Sequence, residues 1–203
     1  MSPNDTDFTL LKAAIDLTGS LDLKDGLQKF VNQACAFTSS PHATMSVLDT
    51  WGATTLQLEH HDSLPGPTVP HSLTTAIPVT APLLVNSPSD APDLELPDST
   101  PPFLGISVLV REQVYGRLYL TGKPGGYTSD DAAVVTALAP AAGIVVENAH
   151  LYADSKRTAR WISASQSLTT TMLEGTDEEE ALELIAKTVR EVSHADTAII
   201  VLQ

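Results

Sequence analysis

Phe103-Leu104-Gly105-Ile106-Ser107-Val108-Leu109-Val110-Arg111-Glu112-Gln113-Val114-Tyr115-Gly116-Arg117-Leu118-Tyr119-Leu120-Thr121 is the stretch on which the fold turns. Two apolar segments, Phe103–Arg111 and Val114–Thr121, lie either side of the polar pair Glu112-Gln113. Short apolar runs rich in branched and aromatic residues and broken by a polar pair predict a β-hairpin. With Glu112-Gln113 as the two-residue turn, Arg111 faces Val114, Leu109 faces Gly116 and Ile106 faces Tyr119. One face then carries Leu104, Ile106, Val108, Tyr115, Arg117 and Tyr119, and the other Phe103, Gly105, Ser107, Leu109, Val114, Gly116, Leu118 and Leu120. Both faces are largely apolar, so the hairpin should be covered on both sides. Helices can cover one; a loop, with or without a ligand, must cover the other.

Downstream, Lys123-Pro124-Gly125-Gly126 reads as a turn, and Thr128-Ser129-Asp130-Asp131 as an acidic capping box. Behind it an apolar stripe runs through Val134, Leu138, Ala141, Ala142, Val145 and Ala149, then more weakly through Tyr152, Ala159, Ile162 and Met172. A helix of about forty residues exceeds what one core can cover, so a projecting coiled-coil-like rod is expected, kinked at Pro140.

Upstream the texture differs. Ten of the fourteen prolines fall between Ser63 and Pro102, which predicts mostly loop with short edge strands near Ile77 and Leu84. Before it, helical spacing marks Asp7–Ser20 and a second helix with Leu23, Leu27, Phe30, Val31 and Ala34 on its buried face. Ala43–Leu48 reads as a strand, with another near Thr55–Leu58.

The end of the chain repeats its beginning. Leu17-Thr18 and Leu168-Thr169 are offset by 151 residues, and His42-Ala43 and His194-Ala195 by 152, in the same order of helix, helix and strand. Between them Thr176 with Glu179 forms a second capping box, and Leu182, Ile185, Val189 and Val192 line a helix face before the strand Thr197–Leu202. One strand makes no sheet, so a second domain is expected to be cut short at Gln203.

The formal net charge is −14, from 25 acids against 11 bases, which repels nucleic acid and anionic membrane surfaces. The apolar runs are short and interrupted, so no membrane span is expected, and the first thirty residues carry no secretory signal. The single cysteine, Cys35, suits a reducing cytoplasm and reads as a small core residue.

Helix, helix, strand, strand, variable loop, hairpin and long exit helix together resemble the GAF fold, an α+β architecture with a central antiparallel sheet. Helices cover one face of that sheet and a loop-covered pocket lies on the other. The resemblance is carried by Phe103-Leu104-Gly105-Ile106, by Val114–Thr121, by Ser129-Asp130-Asp131, by Ala141–Val145, by Asn148–Tyr152 and by Trp161-Ile162. It is closer to the tandem GAF domains of actinobacterial two-component histidine kinases that sense oxygen or redox state through haem. It implies a complete GAF domain over residues 1–152, a signalling helix over 153–174 and a truncated second GAF domain over 175–203. In the haem-binding members the proximal histidine lies a few residues before the Phe-Leu-Gly motif. Here Pro97 stands six residues before Phe103, and no histidine occurs from Ser72 to Ala149, which argues against haem bound in the family manner. Tyr119 matches the tyrosine on the distal side in those members.

A pocket beside Leu104, Ile106 and Tyr119, with His71 at its mouth, is the expected site of a small ligand whose identity the sequence does not give. Two of these have a plainer role as well: Tyr119 as a half-buried strand residue, His71 as a solvated loop residue. His60-His61 alternate in direction along a strand and cannot readily chelate one ion. His150 belongs to the exit-helix motif, and no nucleophile, base and orienting partner converge, so a non-catalytic module is expected. Three readings follow from the resemblance: a cytoplasmic sensor signalling through a homodimeric helix into a histidine kinase; a ligand-free domain that only dimerises; a haem sensor using His71 or His60.

Overall fold

The computed structural model describes residues 12, 15, 16, 19, 22–49, 51–62, 66–173, 178–193, 197 and 199. The chain divides into two compact units, Met1–Ala149 and His150–Gln203.

In the first unit, α1 (Leu23–Thr38) starts at Asp22, whose carboxylate accepts the Asp25 amide at 3.0 Å. Leu27, Phe30, Val31, Ala34 and Cys35 recur at helical spacing and are buried together. Strands β1 (His42–Leu48) and β2 (Thr54–His61) follow. After short helix α2 (His71–Ala76) come β3 (Leu83–Val85), β4 (Phe103–Val110) and β5 (Gln113–Thr121). The five strands form one antiparallel sheet in the order β2-β1-β5-β4-β3. Helix α3 (Ser129–Leu173) closes the first unit and runs into the second, passing through Pro140 as continuous helix.

The hairpin exists, but its turn lies one residue earlier than the sequence suggests. Arg111 and Glu112 form the loop, both with positive φ (49° and 66°), as a type I′ turn requires. Val110 pairs with Gln113 and Leu109 with Val114; Tyr115 is then bulged out, and Val108 pairs with Gly116 and Ile106 with Leu118. A one-residue slip sends every side chain to the opposite face. Leu104, Ile106 and Val108 therefore join Leu118 and Leu120 in a core against α1 and α3. Phe103 lies on the other face, in a second cluster with Leu73, Ile77 and Val85, against which Tyr119 packs. The expectation that both faces are covered holds; the membership of the faces is corrected.

That second cover is more ordered than a proline-rich stretch suggests. Near Ile77 there is no strand; α2 ends there instead, and Leu83–Val85 is the one strand of the segment among the described residues. Pro88 and Pro92 each open a short 3-10 turn, Pro88–Asp90 and Pro92–Leu94, because proline at a helix start loses no hydrogen bond. Asn86 ties the segment to the turn before α3, donating to the Tyr127 carbonyl at 2.9 Å and accepting its amide at 2.7 Å.

Helix α3 begins with the expected capping box: the Thr128 hydroxyl accepts the Asp131 amide at 3.2 Å and the Asp131 carboxylate accepts the Thr128 amide at 2.8 Å. The same carboxylate takes two 2.7 Å bonds from Lys123 Nζ. Gly143 lets the helix approach the sheet: a Cβ there would lie 2.5 Å from the Leu109 carbonyl oxygen. By length and composition alone, Ser129–Gln166 is a helix that could cross a membrane, its most apolar 18 residues having mean hydropathy 1.6, which differs from the sequence expectation; half of those 18 residues are buried inside the protein, as in a core helix.

In the second unit, every side chain from 150 to 163 is exposed, including Leu151, Trp161 and Ile162. Helix α4 (Glu178–Ser193) follows, with Leu182 and Ile185 half-buried and Val189 exposed. The capping box at Thr176 lies outside the described residues, as do most of the helix expected over Asp7–Ser20 and most of the strand expected over Thr197–Leu202; Thr197 and Ile199 carry no strand assignment.

Two stability predictions follow from these joints. Gly143→Ala should destabilise the protein by about 1–3 kcal/mol, because backbone on each side must move apart; urea denaturation measures it. Burial would raise the Asp131 pKa, but the bonds from Lys123 and Thr128 outweigh that and hold it below the ordinary 3.8. Its stabilisation is thus present above that pH and lost as pH falls through the folded value. Asp131→Asn should cost about 1–3 kcal/mol at neutral pH, and the gap to the parent should close on acidification.

Candidate functional site

The face of the sheet opposite α1 and α3 is built in rows by strand pairing. Side chains two apart on a strand share a face, and direct partners on neighbouring strands stand side by side. One row runs His61, His42, Thr121 and Phe103; the next runs Glu59, Thr44, Tyr119 and Gly105; the third runs Gln57, Ser46, Arg117 and Ser107. The rows change from polar to apolar across the sheet. Over the β2–β1–β5 half, the segment Gly66–Val69 leaves a cavity of about 300 Å³ lined by His42, Thr44, Glu59, His61, Tyr119 and neighbouring polar groups. Over the β4–β3 half, Phe103, Leu73, Ile77 and Val85 fill the space, and Gly105 admits Ile77, whose side chain would lie 2.7 Å from any Cβ there.

Tyr119 stands at the boundary. Its ring stacks on Phe103 with centroids 5.8 Å apart, and it also lines the cavity. Burial raises its phenol pKa, against a hydrogen bond with Thr44 that lowers it. His61 bonds Glu59 at 2.8 Å, and this bond and one from Gln57 lower the Glu59 pKa. His42, with its ring centroid 5.6 Å from that of His61, has its pKa lowered first by burial and then by the His61 charge, and its Nδ1 is buried without a partner. Arg117 Nε is likewise buried and unpartnered. Unsatisfied buried groups of this kind require an explanation, and a bound polar molecule is one.

The structure does not bring the four sequence candidates together. Tyr119 lines the cavity; Leu104 and Ile106 face the helices in the main core; His71 is exposed at the start of α2 and does not line the cavity. His42, Thr44 and Glu59 were missed, because only the pairing of β1 with both β2 and β5 brings them beside Tyr119. The signal was present in the alternation of His42 with Thr44 and of Glu59 with His61 in strands already recognised. His60 points away, bonded to Asn32 at 3.0 Å and Asp62 at 3.4 Å. Pro97 is exposed, and neither His60 nor His71 lines the cavity. Among the described residues no group of three or more His, Cys, Asp or Glu is placed to hold a metal ion. Cys35 is buried in the core, its thiol pushed up to about 12 by burial and then by Asp62, which makes it a poor nucleophile.

The histidine pair gives a direct test. In a proton NMR titration, His42 should titrate below its ordinary 6.5. His61→Gln should move it back upward, since a neighbouring positive charge is removed while burial remains.

No family model matches the chain. Among solved structures it is similar to the GAF domain of an Acinetobacter phosphoenolpyruvate-protein phosphotransferase, at 17% identity and TM-score 0.51, covering 74% of this chain and 97% of that one. A bacteriophytochrome from the photosynthetic bacterium R. palustris matches over 94% of this chain with TM-score 0.64 and 11% identity, this chain spanning 47% of its length. A GAF domain from Synechocystis, in its photoproduct state, matches 66% of this chain with TM-score 0.52 and 17% identity. At such identities the likeness speaks to architecture alone, and the architecture of this chain is GAF-like.

Proposed function

We propose that this chain is the sensory module of a two-component sensor histidine kinase. Residues 1–152 form a GAF domain that takes up a small ligand over Thr44 and Tyr119. The helix over 153–174 transmits its state, and 175–203 begin a second GAF domain. The module is cytoplasmic and non-catalytic, pairs with a second copy through α3, and binds neither nucleic acid nor membrane. Catalysis belongs to the parent protein.

The observation that carries this reading is the polar cavity on the loop face of a GAF-like sheet, with unpartnered His42 Nδ1 among its lining and unpartnered Arg117 Nε on the same face. A ligand with a polar end satisfies such groups, and by preferring one arrangement of the cover it shifts the population. Ile144 and Leu151, seven positions apart on α3 and 47% and 56% exposed, supply the face for a second copy. A second reading, a ligand-free domain that only dimerises, is favoured by the tight packing of Leu73, Ile77, Val85 and Phe103 on the rest of that face.

Thermal unfolding with a panel of metabolites separates the two. A ligand at a hundred times its Kd should add about 2.7 kcal/mol and raise Tm by several degrees, and Tyr119→Ala should abolish the rise. No shift with any compound favours the ligand-free reading. Ile144→Glu with Leu151→Glu should turn a dimer into a monomer in sedimentation without changing the monomer's fold; a parent chain already monomeric would defeat the dimer proposal.

A further inference from the structure

The β3 ladder on β4 covers only Phe103, Leu104 and Gly105, so from Ile106 onward that edge of β4 has no strand partner among the described residues. At Leu109 the edge is closed again, because the α3 backbone at Gly143 comes so near the Leu109 carbonyl that a Cβ would not fit. Between these closures lies a second cavity, of about 390 Å³, distinct from the one over Tyr119. The Ser107 hydroxyl donates to the Pro78 carbonyl at 2.9 Å and so holds the following loop, Val79 to Pro82, over it. Ala139 and Pro140 of α3 form another wall.

The lining decides the chemistry. It carries no charged residue, in a chain of net charge −14, and its polar members are Thr80, Ser107 and Thr136. Residue 140 is proline, so the Thr136 carbonyl has no amide one turn on to accept from. Ser107 has already given its proton away and offers lone pairs. The open edge, Ile106 to Val108, is about 10 Å long at 3.4 Å per residue, a length that a two-ring molecule matches. Its volume is within the range of small-molecule sites.

We propose that this edge cavity is a second binding site, for a neutral, largely apolar molecule of two-ring size carrying one hydrogen-bond donor. It seats its ligand directly between the sheet and the α3 segment around Pro140, independently of the polar pocket over Tyr119.

The test uses the full chain, indole as probe and indene as its donor-free hydrocarbon counterpart, followed by amide NMR. Indole should give saturable shifts at millimolar concentration or below, centred on Ala81, Ser107 and Ala139, and indene should bind more weakly. Ala81→Trp, on the exposed loop, should fill the cavity and weaken indole about tenfold, which is 1.4 kcal/mol, with Tm unchanged. Pro140→Ala, which restores an amide for Thr136, should narrow the difference between indole and indene. Shifts confined to Thr44 and Tyr119, absence of saturable shifts, or indole binding indifferent to Ala81→Trp would each overturn the proposal; the first would place indole in the polar pocket instead, and the other two leave that pocket's reading untouched.

Discussion

The register of the β4–β5 hairpin governs the rest of the structure. A two-residue turn with positive φ at Arg111 and Glu112 matches the right-handed twist of the strands, and the bulge at Tyr115 then sets which side chains look inward. Leu104, Ile106, Val108, Leu118 and Leu120 go to the helices. Phe103, Tyr119 and Arg117 are left for the other face. Burial of the first group fixes the register, because a one-residue slip of β5 would expose Leu118 and Leu120 and bury Arg117 among aliphatic groups, and one of β4 would expose Leu104, Ile106 and Val108.

From this follows the division of labour across the sheet. On the helix side close packing prevails: α1 and α3 bury continuous apolar stripes, and at Gly143 helix and strand backbones approach directly. On the loop side the same strands present a graded surface. Beyond Phe103 it is apolar and filled by Leu73, Ile77 and Val85; beyond Tyr119 it is polar and hollow. Tyr119 joins the two, its ring on the apolar cluster and its hydroxyl toward Thr44. His42 Nδ1 and Arg117 Nε are buried on this face without partners.

Helix α3 links the parts. Its first half is a core helix anchored by Asp131 and Lys123, and its residues 150–163 are exposed, the apolar Leu151, Trp161 and Ile162 among them. Pro140 sits within the anchored half, in helix that continues on both sides of it. A proline there removes one hydrogen bond from the ladder and leaves a carbonyl available, which makes that segment a place where a small molecule can act on the helix without entering the sheet-face pocket.

Local residue pattern was enough to reveal much of this architecture. Helical spacing of Leu27, Phe30, Val31 and Ala34 identified α1; the reciprocal residues Thr128 and Asp131 identified the start of α3; the two-sided greasiness of Phe103–Thr121 required a cover on each face. Periodicity is a property of consecutive residues and is legible one element at a time. The turn was misplaced because Arg-Glu carries none of the glycine or asparagine that marks a left-handed turn, and α2 was missed because proline reads as a breaker although it opens a helix at no cost. Nor could pattern show that His42, Glu59 and His61 stand beside Tyr119 while Leu104 and Ile106 do not. That depends on pairing among strands far apart in the chain, and pairing is chosen by burial of the whole sheet at once, which only the tertiary structure decides.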